Sequence, residues 1–152
     1  MAASSYAFLL LSLLLVLLPW AQATRVQYCD HNPDYEVEVT GVDISPEPVI
    51  RGKPATFSVS ATTDKPISQG KVTIDVYFFG IRIHEEIHKL CEETSCPIPA
   101  GNFVLSHSQS LPGYTPPGNY MLKMTIVDPD GHTLTCISFN FQIKFGSSVA
   151  DS

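Results

Sequence analysis

Apolar and polar residues alternate with a period of two along most of the chain beyond residue 34. Tyr35, Val37 and Val39 alternate with Glu36 and Glu38, and after Gly41 the apolar positions shift to Val42 and Ile44. Phe57, Val59 and Ala61 lie opposite Thr56, Ser58 and Ser60, and Val72, Ile74, Val76 and Phe78 lie opposite Lys71, Thr73, Asp75 and Tyr77. Tyr120, Leu122, Met124 and Ile126 form a fourth apolar face, and Ile137, Phe139, Phe141 and Ile143 a fifth. This period puts each apolar set on one side of a β-strand. Phe103 and Leu105 mark a weaker strand within Asn102–Leu111. Between the strands stand turn and stop signals: Ser45-Pro46-Glu47-Pro48, Arg51-Gly52-Lys53-Pro54, the stiff loop from Leu111 to Gly118, and Asp128-Pro129-Asp130-Gly131. No stretch has helical periodicity of useful length. About seven short strands separated by turns predict an all-β, immunoglobulin-like two-sheet sandwich.

One parity change stands out. Ile81 and Ile83 are apolar and odd-numbered, whereas the preceding apolar positions are even-numbered. An extra residue at Gly80, where a bulge costs least, would keep both isoleucines on the buried face, so a kinked strand is expected there.

The N-terminus lies outside this pattern. Ala7 to Leu18 is apolar apart from Ser12 and is followed by the small-x-small triplet Ala21-Gln22-Ala23, which predicts a secretory signal over residues 1–23. The run is too short for a bilayer span. Residues 24–145 are then expected to form one domain with a single core, and residues 146–152 a flexible tail. All nine Lys and Arg and all fifteen Asp and Glu follow the leader, giving a formal net charge of −6. That balance argues against a nucleic-acid partner, whose affinity rests on phosphate neutralisation. It leaves room for transient membrane contact through a local basic patch.

The four cysteines of an exported chain are read as two disulfides. Cys91 and Cys96 flank a four-residue loop and can close a tight bridge, which leaves Cys29 to pair with Cys136. His84, His88, Cys91 and Cys96 could be weighed as zinc ligands. However, His84 and His88 sit roughly 13 Å apart along an extended strand, and export favours the disulfide, so no metal site is expected. Asp128 and Asp130 open like a calcium loop, but the other ligand positions are missing. Glu85, Glu86, Glu92 and Glu93 are read as solvated surface. His107 between Ser106 and Ser108 lacks a strained nucleophile elbow. Neither catalysis nor a cofactor is expected.

The run YFFGIRIHEEIHKLCEETSCPIPAG, followed by FVLSHSQSLPGYTPPGNYMLKMTIVDPDGHTLTCISFNFQI, resembles the ML lipid-recognition family. The similarity is strongest to its branch of phosphatidylglycerol/phosphatidylinositol transfer proteins. That resemblance implies two sheets splayed around a membrane lipid, a phospholipid or a sterol. It places Val72, Val76, Ile81, Ile83, Ile126, Ile137 and Phe139 on the cavity wall and the Tyr114 to Gly118 loop at its mouth. The remaining apolar set, Phe57, Val59, Ile74, Phe78, Tyr120, Leu122, Met124 and Phe141, would complete the lining. The same resemblance agrees with the disulfide pairing and implies a secreted or endomembrane-lumen carrier. Alternation alone shows burial and is equally met by a filled core, so the rival reading is a secreted module that binds a protein partner.

Overall fold

Nine strands and one helical turn follow residue 24 in the computed structural model, which describes residues 4–10, 24–31 and 34–146. Residues 4–10 are helical, whereas the predicted cleavage triplet Ala21-Gln22-Ala23 and the tail from residue 147 lie outside the described residues. Among the described residues no helix is long and apolar enough to cross a membrane. The strands are β1 (Val26–Tyr28), β2 (Val37–Ser45), β3 (Val49–Ile50), β4 (Pro54–Thr63), β5 (Lys71–Phe78), β6 (Ile81–Lys89), β7 (Gly101–Ser110), β8 (Gly118–Val127) and β9 (Thr133–Lys144). One sheet runs β1-β9-β8-β5-β6, with β3 added in parallel to β9, and the other runs β2-β4-β7. The two sheets pack as the predicted sandwich. Two strands went unforeseen: β1 and β3, of three and two residues, are too short for a period of two to register.

The long strands carry the expected faces. In β4 the odd positions Ala55, Phe57, Val59 and Ala61 are buried, and in β8 the even positions Tyr120, Leu122, Met124 and Ile126 are. The predicted break at Gly41 is a register shift between Val39 and Gly41 that leaves Thr40 without an opposite residue.

The prediction at Gly80 needs correcting. Phe79 and Gly80 form the two-residue turn of a β5–β6 hairpin, with φ of 50° and 76°. The extra residue lies further on, at Ile83, since Val76 pairs with His84 while Tyr77 pairs with Arg82. Ile81 is therefore not buried: it is 67% exposed, and Ile83 is half exposed. A two-residue turn of this kind needs positive φ at both positions, and only one of them is glycine.

Both bridges are present. Cys29 joins Cys136 with Cα atoms 5.4 Å apart, fastening β1 to β9, and Cys91 joins Cys96 at 5.3 Å across the helical turn Leu90–Glu93.

Candidate functional site

Facing positions of the two sheets enclose two adjoining spaces. The larger, about 460 Å³, lies toward the end of the sandwich where the β5–β6 turn and the Leu111 to Pro117 loop sit. Its apolar wall comes from Phe57, Ile74, Val76, Ile83, Tyr120, Leu122 and Phe141, and its rim from Gln109, Leu111, Pro112, Tyr114 and Pro116. A void of about 20 Å³ continues inward between Val59, Val72, Leu105, Met124 and Phe139. Phe57, Ile74 and Leu122 border both spaces, and aromatic rings pack around the larger one. Phe57 packs edge-on to Phe141 at 5.4 Å, and Tyr120 stacks on Phe78 at 4.5 Å and on Phe141 at 5.7 Å. The Tyr120 hydroxyl donates to Pro116 O at 2.7 Å, which anchors the rim loop to β8. Burial raises the Tyr120 pKa, so the phenol stays protonated and able to donate.

The predicted lining residues therefore divide into groups. On β5 and β8, Ile74, Val76, Tyr120 and Leu122 face the larger space, joined by Phe57, Ile83, Tyr114 and Phe141. Val59, Val72, Met124 and Phe139 border only the narrow void. Ile126 and Ile137 line neither space; they are 1% and 0% exposed and belong to the packed half of the core. Phe78 acts from behind as a support for Tyr120, and Ile81 points to solvent.

The outer strands β6 and β7 face each other across the gap between the sheets. His84, Glu86 and His88 alternate on the inward side of β6, and His107 of β7 meets them. Glu86 Oε1 accepts from His84 Nε2 at 2.9 Å, while its Oε2 lies 3.0 Å from His88 Nε2 and 3.3 Å from His107 Nε2. Glu93 Oε1 lies 3.1 Å from His107 Nδ1 and 3.7 Å from His88 Nδ1. Burial opposes ionisation of Glu86. Hydrogen bonds from His84 and His88, with the charges of His107 and His84, nevertheless hold its pKa below the usual glutamate range. The His88 pKa is raised by its hydrogen bond to Glu86, against burial and with help from the charges of Glu93, Glu86 and Glu92.

Glu86 and Glu93 are thus not the solvated surface expected of them, with side chains only 19% and 10% exposed. Their partners explain this, because a carboxylate leaves water cheaply only when donors replace it. Glu85 and Glu92 are exposed. The serines flanking His107 face away from it: Ser106 bonds Ser58 at 3.2 Å and Ser108 bonds Thr56 at 2.9 Å. Spacing along β6 could have suggested His84, Glu86 and His88 as one face. No local signal could have supplied His107, which meets them only through the packing of one sheet on the other.

Residues 23–143 match the ML domain family. Over 121 residues the chain is 31% identical to a protein of Dictyostelium discoideum named for phosphatidylglycerol/phosphatidylinositol transfer, spanning 77% of this chain and 83% of that one. It is 29% identical over 126 residues to a phosphatidylglycerol/phosphatidylinositol transfer protein of Aspergillus oryzae, spanning 78% and 72% of the two chains. Among solved structures, the Niemann-Pick type C2 protein from Japanese carpenter ant superposes with a TM-score of 0.62 at 14% identity, over 79% of this chain and 99% of that one. Chicken MD-1 complexed with lipid IVa superposes at 0.53 and 15% identity, over 76% and 85%. At such identities these likenesses show a shared sandwich fold. By its matching sequence over nearly the whole sandwich, the chain belongs to the ML-domain family.

Proposed function

We propose that this chain binds a membrane phospholipid with its tails in the space between the sheets and carries it between membranes without a covalent step. The apolar cavity of about 460 Å³ carries this reading; it falls within the 300–1,000 Å³ typical of small-molecule sites. The transfer proteins of Dictyostelium and Aspergillus support the phospholipid class. Each buried methylene contributes roughly 0.8 kcal/mol, so about ten of them offer roughly 8 kcal/mol toward holding a lipid out of the bilayer.

The cavity end also has the features of a membrane-facing surface. Phe79 and Tyr114 are 86% and 85% exposed, and Ile81 stands beside the Phe79 turn. A bulky residue at φ 50° costs of order 1–3 kcal/mol, and strain of this kind is kept where display of the side chain matters. Basic residues border the same end. Arg51 N donates to Lys144 O and Gly52 N to Leu111 O, so the turn carrying Arg51 and Lys53 is tied to the rim loop. Each Lys or Arg near an anionic surface contributes about 1 kcal/mol, which gives a chain of net charge −6 a local means of docking.

Two disulfides suit an oxidising compartment, and we assign the chain to the secretory pathway, outside the cell or in a vacuolar or endomembrane lumen, after removal of residues 1–23.

Lipid extraction and native mass spectrometry of the purified protein should find one phospholipid per chain. A sterol alone would replace the phospholipid class, and a chain that carries no lipid and takes none from liposomes would overturn the carrier reading. Docking has its own readout. Joint Phe79→Asp and Ile81→Asp changes should slow transfer between anionic vesicles several-fold while leaving capture of detergent-dispersed lipid unchanged. Unaltered transfer would place the docking surface elsewhere.

A further inference from the structure

We propose that Glu86, His88 and His107 form a binding site for a zinc-class divalent ion, which joins the facing edges of the two sheets. Two imidazoles and one carboxylate are a donor set suited to borderline-soft ions and poorly suited to Mg²⁺ or Ca²⁺, which prefer all-oxygen shells. The spacing fits as well. One donor atom from each of the three residues lies within 4.8 Å of the others. Glu86 Oε2 stands 3.0 Å and 3.3 Å from the Nε2 atoms of His88 and His107. Metal–ligand bonds of 2.0–2.2 Å in a tetrahedral arrangement separate neighbouring donors by roughly 3.4 Å, so the two Glu86–histidine distances need change by only a few tenths of an ångström, and the two imidazoles, within 4.8 Å of each other, close the remainder.

The orientation of the rings is a separate observation. Both present Nε2 to Glu86 and Nδ1 to the oxygen of Glu93, at 3.1 Å for His107 and 3.7 Å for His88. For His107 the Glu93 carboxylate is within hydrogen-bond distance of Nδ1 and supports the ring from behind, the usual outer support of a zinc-binding histidine. For His88 it is close enough to act only through its charge, and His107 Nε2 also has Gln109 Oε1 at 3.1 Å, a contact the ion would replace. Glu93 is therefore a positioning residue, not a ligand. His84 is bound to the other oxygen of Glu86, so Oε2 is shared only by His88 and His107, the two residues the ion would join. The ion takes the place of the hydrogen bonds at Nε2, and any proton there leaves to solvent, so no further reactant is needed. Glu86, His107 and Gln109 all line the lipid cavity, so the fourth position is open on that side to water or a ligand oxygen.

A second group of possible donors, Asp128, Asp130 and His132, serves as a control. Asp128 Oδ1 there accepts the backbone N–H groups of Asp130 and His132, both at 2.9 Å, and is committed to its turn.

The test is titration of untagged, chelator-stripped protein with Zn²⁺, followed by calorimetry and thermal unfolding. One ion per chain and a rise of roughly 5–10 °C in the unfolding midpoint at saturation are expected, with no rise in Mg²⁺. H88Q and H107Q should each weaken Zn²⁺ binding at least tenfold, E93Q by roughly 10–100-fold, and H132A not at all. Should the histidine variants misfold, Co²⁺ added to the unaltered protein gives an independent reading, an intense tetrahedral visible spectrum. Absence of stoichiometric Zn²⁺, a six-coordinate Co²⁺ spectrum, or equal binding by the H88Q/H107Q double variant would each overturn the site. Lipid capture by the chelator-stripped protein is measured alongside, and its outcome bears on the carrier reading alone.

Discussion

Val76→Trp is expected to abolish lipid capture while the domain stays folded. Val76 lies on β5 where its side chain faces the space of about 460 Å³, so an indole has room to enter and would occupy the volume meant for acyl chain. Val72, four residues earlier on the same face, is 2% exposed and borders only the narrow void. Two substitutions of the same size on one strand face should therefore diverge. Val72→Trp overpacks a closed core and should cost roughly 1–3 kcal/mol in urea unfolding. Val76→Trp should shift unfolding by less than about 1 kcal/mol, yet lower lipid uptake from vesicles at least tenfold. Wild-type uptake by Val76→Trp would remove the cavity as the lipid site. Equal destabilisation by both would favour the rival reading, a filled sandwich that binds a protein partner.

Joint replacement of Cys29 and Cys136 by serine should produce the largest loss of stability of any change away from the cavity. The bridge spans a sequence separation of 107 residues and ties β1 to β9, beside the backbone bond from Cys29 N to Cys136 O at 3.0 Å. In the chain-entropy account a loop of about 100 residues restricts the unfolded state by roughly 4–5 kcal/mol. Against a typical stability of 5–15 kcal/mol, that loss leaves the domain marginally stable. The Cys91–Cys96 bridge closes a separation of only 5, for which the same relation gives about 2 kcal/mol. Urea titration of the two serine pairs measures both values. A larger loss at Cys91–Cys96 would mean that the local bridge acts through native packing around Leu90, which is fully buried, and not through the unfolded chain.

The carrier reading and the zinc site place different demands on one region. Lipid capture needs the end bounded by Ile83, Tyr114 and Pro116 to be open, whereas Glu86, Glu93, His88 and His107 close the gap between the sheets nearer the helical turn. The two can coexist because β6 passes from one to the other within a few residues.

Much of this was legible in order along the chain. The long apolar faces, the Leu111–Gly118 loop, the turn at Asp128 and the Cys91–Cys96 bridge follow from periodicity, turn chemistry and spacing, which are local properties, and the Cys29–Cys136 bridge then follows by elimination. The kink assigned to Gly80 shows the limit of such reasoning. Glycine marks either a bulge or a turn, and parity alone cannot tell which. Cross-strand pairing decided for the turn and moved the bulge to Ile83.

What the sequence determined by itself was which residues leave water, because the pleat of a strand fixes alternate faces wherever the chain is extended. What only the tertiary structure decided was how the two sheets fill the space between those faces. Ile126 and Ile137 close one end and Val76 and Tyr120 border a cavity at the other, although all four alternate identically in sequence. His107 reaches Glu86 for the same reason: the distance between two sheets is set by every side chain packed between them and is encoded in no single stretch of the chain.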